Sequence, residues 1–69
     1  MDIRLRVGAN VKAAREAKGW SQEELAHQAD MHRTYISGIE RGIRNPTVTV
    51  LERVGKALNM APGRLLDGN

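Results

Sequence analysis

The chain has 69 residues, a formal net charge of +3, a pI near 10.0 and no cysteine. The absence of cysteine excludes disulfide bonds and most structural zinc sites. No stretch approaches the roughly 18 consecutive apolar residues of a membrane span, and the N-terminus lacks a signal-peptide pattern. We therefore expect one cytoplasmic domain over residues 1–69, without membrane contact.

The first predicted helix spans about residues 3–18 and ends at Gly19, because glycine readily adopts the left-handed backbone of a helix end. Apolar residues recur along it at helical spacing, at Ile3, Val7, Val11 and Ala14. This stripe predicts that one face of the helix packs against the rest of the domain.

The second helix, about residues 22–29, has the clearest start signal in the sequence. Ser21-Gln22-Glu23-Glu24 fits a capping box, in which the serine hydroxyl and the last glutamate each bond a free backbone N–H. Trp20 before the cap and Leu25 at the fourth helical position fit a hydrophobic staple.

The third helix is predicted over about residues 32–41. Ile36 and Ile39 are three residues apart and share its inward face, toward Leu25 and Ala29 of the second helix. The remaining positions are polar, small or basic and are expected to point outward: His32, Arg33, Thr34, Ser37, Gly38 and Arg41. Such a face, without bulk or acid, can enter the DNA major groove, which is about 12 Å wide.

Two more helices complete an all-α prediction of five helices. The fourth spans about residues 47–59 with Thr47 as its cap, and the fifth spans about residues 62–67 with Pro62 at its first position. No strand is expected, because the short Thr47–Val50 stretch continues at helical apolar spacing.

From about Val7 to Leu66 the sequence resembles the lambda-repressor-like (Xre-type) helix-turn-helix family. The resemblance rests on the segments Ser-Gln-Glu-Glu-Leu-Ala at 21–26, Arg-Thr-Tyr-Ile-Ser-Gly-Ile-Glu-Arg-Gly at 33–42 and Arg-Asn-Pro-Thr at 44–47. Residues 32–41 look especially like the controller proteins of restriction–modification systems. The family usually has glycine at the turn position that Asp30 occupies here. A left-handed conformation at Asp30 is expected to cost only about 1 kcal/mol. Asp tolerates it better than most residues because its short side chain can bond the local backbone.

The resemblance implies a helix-turn-helix motif at about residues 22–41 and a transcriptional regulator that binds double-stranded DNA. Arg33, Thr34 and Ser37 are predicted to read bases, with Arg33 bonding guanine O6 and N7 together. The alternatives are that Arg33 is simply solvated and that the Thr34 and Ser37 hydroxyls bond helix carbonyls or phosphates instead. The predicted contacts to the DNA backbone are Ser21, Gln22, Tyr35, Arg41, Arg44, Asn45 and Thr47.

The resemblance also implies a structural ion pair between Arg15 and Glu40 and a homodimer on a palindromic operator. We expect the C-terminal part, about residues 58–67, to form the dimer through Leu58, Met60, Leu65 and Leu66. RNA polymerase is a further candidate partner. The alternatives are an Xre-type antitoxin or a phage-type repressor that binds a protein partner as well as its own operator, and an interaction module that has lost DNA binding.

Catalysis is not expected. The sequence contains no Gly-rich phosphate loop, nucleophile elbow or metalloprotease motif. His27 and His32 are five residues apart and have no cysteine or close acidic partner to complete a metal site. We expect no cofactor, metal or small-molecule ligand, and the positive charge is compatible with a polyanionic partner without identifying one.

Overall fold

A computed structural model describes residues 2–68 and folds them into four α-helices and a C-terminal 3₁₀ helix. The elements are α1 (Ile3–Ala17), α2 (Gln22–Ala29), α3 (Arg33–Glu40), α4 (Val48–Ala57) and the 3₁₀ helix (Pro62–Leu66). No strand occurs among these described residues, so the all-helical prediction is confirmed. The count of five α-helices is not confirmed. A five-residue segment closes too few i→i+4 hydrogen bonds to repay helix nucleation, and the tighter 3₁₀ form replaces it.

The start of α2 follows only half of the predicted capping box. Ser21 Oγ accepts a hydrogen bond from the Glu24 backbone N–H at 3.0 Å, as expected of an N-cap serine. The Glu24 carboxylate instead accepts from Gln28 Nε2 at 2.7 Å, one turn further along the helix. The serine side of the motif therefore fixes the helix start, and the glutamate supports the helix surface.

Two other helices begin at side-chain caps. Thr47 Oγ1 accepts from the Val50 backbone N–H at 3.2 Å, as predicted for the start of α4. Asp2 caps α1 by accepting from the Arg4 backbone N–H at 2.9 Å. The hydrogen bonds from Arg4 lower the pKa of Asp2 to about 2, so the cap is charged at neutral pH.

Side chains from all five helical segments meet in one hydrophobic core. The helix α3 packs on α1 and α2, while α4 packs on α2 and on the 3₁₀ helix. The largest fully buried side chains are Val11, Leu25, Ile36, Ile39, Val54 and Leu65. Ile3 does not belong to the predicted buried stripe of α1. It is 45% exposed, because it lies in the first turn, beyond the reach of the core.

The helices α1 and α3 approach each other at a glycine. A Cβ built on Gly8 would overlap the Ile39 carbonyl oxygen and lie 2.7 Å from that of Glu40. Gly8 is buried at this point, so the backbone of α3 rests directly on α1. The close approach brings the C-terminal end of α3 within reach of polar side chains on α1.

Polar side chains tie distant segments to one another. Asn10 Nδ2 donates to the carbonyl oxygens of Leu65 and Asp67 at 2.9 and 2.7 Å, which anchors the 3₁₀ helix on α1. Arg53 of α4 donates to the Ala29 carbonyl oxygen at 3.2 Å, at the C-terminal end of α2. Every helix within residues 2–68 is too short or too polar to span a lipid bilayer.

Candidate nucleic-acid interface

The turn between α2 and α3 is built on Asp30. Its backbone has φ 56° and ψ 52°, the left-handed conformation predicted for this position. The Met31 backbone N–H then donates to the Ala26 carbonyl oxygen at 2.8 Å, which closes the end of α2. An aspartate in place of the usual glycine is therefore accommodated without loss of the turn.

The helix α3 has one buried face and one exposed face. Ile36 and Ile39 are inside the core, as predicted, with no more than 1% of either residue exposed. Arg33 and Thr34, in the first turn, are exposed on the surface, and Ser37 is half-buried one turn later. Arg41, the C-cap of the helix, is also exposed. The three residues predicted to read bases are thus on the outer side of α3.

Gly38 corrects one part of that prediction. It was expected to face outward, yet it is buried beneath the side chain of Arg44. Arg44 also lies over the ring of Tyr35, with its Cζ 5.3 Å from the ring centroid. Tyr35 is half-buried, and its ring packs against the core.

Arg15, Glu40 and Gln22 form a polar network behind the exposed face. Arg15 Nε and Nη2 donate to the two Glu40 carboxylate oxygens at 2.7 and 3.1 Å, and Nη1 donates to the Trp20 carbonyl oxygen at 2.7 Å. The hydrogen bonds to Glu40 raise the pKa of Arg15 above its ordinary value. Only 3% of the Glu40 side chain is exposed, and the ion pair with Arg15 neutralises its negative charge inside the protein.

Gln22 joins this network from the N-terminus of α2. Its Nε2 donates to Glu40 Oε1 at 3.0 Å. An amide nitrogen carries two hydrogens, so one remains for a ligand such as a phosphate. The sequence predicts a contact of Gln22 with the DNA backbone but carries no signal that Glu40 fixes the orientation of its amide.

The other predicted backbone contacts lie at a cap or in the loop after α3. Ser21 and Thr47 accept hydrogen bonds as N-caps, which leaves each hydroxyl hydrogen free to donate to a phosphate. Arg44 and Asn45 are exposed in the loop. These positions supply neutral donors and a cation around α3.

The charge on and beside α3 favours an anionic partner. Three arginines are exposed there, Arg33, Arg41 and Arg44. The one acidic residue within α3 is Glu40, which Arg15 pairs inside the molecule. A surface with exposed guanidinium groups, on a helix whose one acidic side chain is paired inside the molecule, suits phosphate and base-edge recognition. Residues 2–68 contain no cluster of His, Cys, Asp or Glu placed to hold a metal ion.

The C-terminal residues predicted to form a dimer divide into two groups. Leu58 and Leu65 are buried in the chain's own core, which corrects their assignment as interface side chains. Their apolar surface is already removed from water within one protomer. Met60 is half-buried and Leu66 is 41% exposed, so these two retain apolar surface.

Comparison with known proteins identifies the family. A family model described as helix-turn-helix matches residues 11–65. The chain belongs to the helix-turn-helix family. This helix-turn-helix protein is 49% identical over 67 residues to Control protein C.BamHI of Bacillus amyloliquefaciens, a match that covers 96% of the chain and 83% of that protein. The predicted resemblance to controller proteins is confirmed.

Solved structures agree with this assignment. The restriction–modification controller protein C.AhdI from Aeromonas hydrophila superposes with a TM-score of 0.87 at 35% identity, covering 90% of the helix-turn-helix protein and 94% of C.AhdI. The controller protein C.Esp1396I, solved as a tetramer in complex with its natural 35 base-pair operator, gives a TM-score of 0.85 at 38% identity. That match covers 94% of the chain and 86% of C.Esp1396I. The lambda-repressor-like fold is therefore confirmed.

Sequence reasoning missed two contacts of this surface. The stacking of Arg44 on Gly38 and Tyr35 joins a loop to a helix, and the hydrogen bond from Gln22 to Glu40 joins two helices. Neither leaves a periodic or capping signal in the sequence. One available hint was the presence of a glycine inside a short helix, which often has a packing reason.

Proposed function

We propose that this helix-turn-helix protein is a sequence-specific, double-stranded DNA-binding transcriptional regulator that acts as the controller of a restriction–modification system. The observation that carries the proposal is the division of α3, with Ile36 and Ile39 in the core and Arg33, Thr34 and Ser37 on the outer side. The identity to control proteins supports it. The proposed role is binding rather than catalysis. The proposed location is the cytoplasm, because that compartment holds the DNA of bacteria, to which the relatives belong.

In this proposal α3 enters the major groove of the operator. Arg33, at the first position of the helix, reaches guanine O6 and N7 with its planar fork of donors, while Thr34 and Ser37 bond neighbouring base edges. Phosphate contacts fix the register of the protein on the duplex without reading sequence. They are assigned to Ser21, Gln22, Tyr35, Arg41, Arg44, Asn45 and Thr47, all of which are exposed or half-buried.

The proposed active species is a homodimer. A palindromic operator requires two copies of α3 about 34–36 Å apart, one turn of duplex. Of the four C-terminal residues predicted for the interface, Met60 and Leu66 retain apolar surface for a partner copy. The operator complex of C.Esp1396I, in which that protein is a tetramer, supports an assembly of more than one copy.

Arg33→Ala and Arg44→Ala test the division between base reading and phosphate binding. Arg33→Ala is expected to weaken binding to a selected operator by about 1–3 kcal/mol, with a much smaller loss on random duplex. Arg44→Ala is expected to weaken both duplexes similarly and to reduce the slope of log affinity against log salt by about 1. Fluorescence anisotropy over a salt series measures both effects.

Lys12→Ala is the control for these two variants. Lys12 is an exposed cation on α1, outside the proposed DNA interface and outside residues 58–67 of the proposed dimer surface. Its replacement is expected to leave both affinities nearly unchanged. Equal losses on selected and random duplex for Arg33→Ala would contradict the assignment of base reading, and absence of any duplex binding by the unsubstituted protein would contradict the function itself.

The dimer surface is tested by placing a charge on it. Leu66→Glu is expected to weaken dimerisation at least tenfold, because a buried unpaired carboxylate opposes association. Ile3→Glu is the control, since Ile3 is similarly exposed but lies in the first turn of α1. Sedimentation equilibrium measures both. A monomeric Ile3→Glu variant beside a dimeric Leu66→Glu variant would place the interface elsewhere.

A further inference from the structure

The side chain of Arg44 is folded back over α3. The Ile43 and Arg44 backbone N–H groups both donate to the Gly38 carbonyl oxygen, at 3.0 and 3.2 Å, which fixes the start of the loop. From there the Arg44 side chain passes over Gly38 and ends above the ring of Tyr35. The guanidinium therefore lies against the helix that carries Thr34 and Ser37, although Arg44 belongs to the loop.

Gly38 leaves the space that this path requires. A Cβ built on Gly38 would lie 2.5 Å from Cγ, 3.4 Å from Nε and 3.5 Å from Cδ of Arg44. These three nearest atoms all belong to one exposed side chain. At Gly8, by contrast, the nearest atoms are backbone. A side chain at position 38 thus conflicts with the placement of Arg44, and a change of Arg44 rotamer relieves that conflict without moving a helix.

Tyr35 supplies the second wall. Its ring is three residues before Gly38 on the same side of α3, and it packs against the core, which holds its orientation. The Arg44 Cζ atom, 5.3 Å from the ring centroid, is within the distance at which a guanidinium is attracted to an aromatic face. The ring face makes this contact, so it does not require the tyrosine hydroxyl.

We propose that Gly38 and Tyr35 form an arginine cradle that holds the Arg44 guanidinium in its DNA-binding position before DNA arrives. Gly38 is thereby a positioning residue for DNA affinity. This inference rests on the proposed function, in which Arg44 contacts phosphate. A free arginine side chain loses rotamer freedom when it binds, and a side chain already held loses less, so the cradle raises affinity without adding a contact to DNA.

Two other roles for Gly38 make different predictions. A glycine that lets DNA approach the helix directly would weaken binding when replaced, whatever residue is at position 44. A glycine needed for folding would lower stability when replaced. The cradle predicts neither. It predicts that Gly38→Ala lowers affinity while stability stays level or rises, because alanine favours a helix interior over glycine.

The test is a double-mutant cycle on Gly38→Ala and Arg44→Ala. Anisotropy is measured on a duplex selected from a random library by the unsubstituted protein and on a random duplex of equal length, with urea unfolding of each variant. Gly38→Ala alone is expected to weaken binding about two- to tenfold without lowering the urea midpoint, and to cause no further loss when Arg44 is already alanine. Lys12→Ala, at an exposed position of α1 outside the proposed DNA and dimer surfaces, is the control and is expected to bind normally.

The ring is tested by the difference between two variants of Tyr35. Tyr35→Phe keeps the face and loses the hydroxyl, whereas Tyr35→Leu loses both, so the difference between them reports the face alone. That difference is expected to be about two- to fivefold in affinity and to vanish in the Arg44→Ala background. In the free protein, the Arg44 side-chain protons are expected to show ring-current shifts that Gly38→Ala removes, as measured by NMR.

A loss caused by Gly38→Ala that persists at full size in the Arg44→Ala background overturns the cradle, because the glycine then faces DNA directly. A fall in the urea midpoint that accounts for the lost binding also overturns it. Failure of the proposed function looks different: the unsubstituted protein then binds neither duplex. If the protein binds DNA but Arg44→Ala does not weaken binding, the proposed function stands and the cradle is contradicted.

Discussion

Replacing Arg15 by leucine is expected to cost about 3–5 kcal/mol of unfolding free energy, which is close to the whole stability that a core of this size supplies. The cost comes from Glu40, whose side chain is 3% exposed and whose two carboxylate oxygens both accept from Arg15. Without Arg15 that carboxylate retains the Gln22 amide as its described side-chain partner. Urea unfolding at neutral pH measures the loss.

The double variant Arg15→Leu/Glu40→Leu separates the burial of a charge from the loss of packing. It is expected to recover most of the stability lost in Arg15→Leu, because it removes the unpaired carboxylate. Recovery is incomplete, since the hydrogen bond from Arg15 to the Trp20 carbonyl oxygen is absent in both variants. Arg64→Leu is the matched control, because the Arg64–Asp67 pair is exposed and contributes little. An Arg15→Leu variant as stable as the unsubstituted protein would contradict this expectation and would mean that water reaches the Glu40 carboxylate.

Stability and DNA binding are linked through the same network. Glu40 orients the Gln22 amide by accepting from its Nε2, and Gln22 begins α2 at the proposed phosphate surface. In the Arg15→Leu/Glu40→Leu variant Gln22 loses this partner. We therefore expect a folded protein whose affinity for all duplexes is lower, a loss separable from that of Arg33→Ala by its indifference to sequence.

The helices could be predicted from the sequence because their signals are local. The caps at Ser21 and Thr47, the left-handed Asp30 and the pair Ile36 and Ile39 each involve residues within one or two turns of one another. Caps and apolar spacing act on the chain before tertiary structure forms. They fix which side of α3 is buried and, by elimination, which side is available to DNA.

The corrected residues depend on contacts between distant parts of the chain. Gly38 is buried because a loop side chain returns over it, and Leu58 and Leu65 are buried where the 3₁₀ helix packs on α1 and α4. That docking uses Asn10, whose side chain bonds carbonyl oxygens 55 and 57 residues away. An apolar C-terminal stripe does not by itself distinguish a core side chain from an interface side chain. The distinction requires knowing where the helix docks.

Ile36→Ala is expected to lower the free energy of unfolding by about 2–5 kcal/mol. Ile36 is 0% exposed and lies on the buried side of α3, which packs on α1 and α2. Removing its outer carbons leaves a cavity between helices that are fixed elsewhere by Gly8 and by the Arg15–Glu40 pair. Ile43→Ala is the matched control: Ile43 is 59% exposed, and its truncation is expected to change stability by less than about 0.5 kcal/mol. Thermal and urea unfolding compare the two isoleucines directly.

The effect of Ile36→Ala on DNA binding distinguishes a residue that only stabilises the fold from one that contacts DNA. Ile36 has no exposed surface, so the folded variant is expected to bind the operator with its ordinary affinity. The apparent dissociation constant rises only by the reciprocal of the folded fraction, and it falls back when a stabilising osmolyte restores folding. Arg33→Ala removes a contact instead, and an osmolyte does not restore it. A fully folded Ile36→Ala variant with weakened affinity would contradict this prediction. The core under α3 would then also set the exact position of the proposed base-contacting residues.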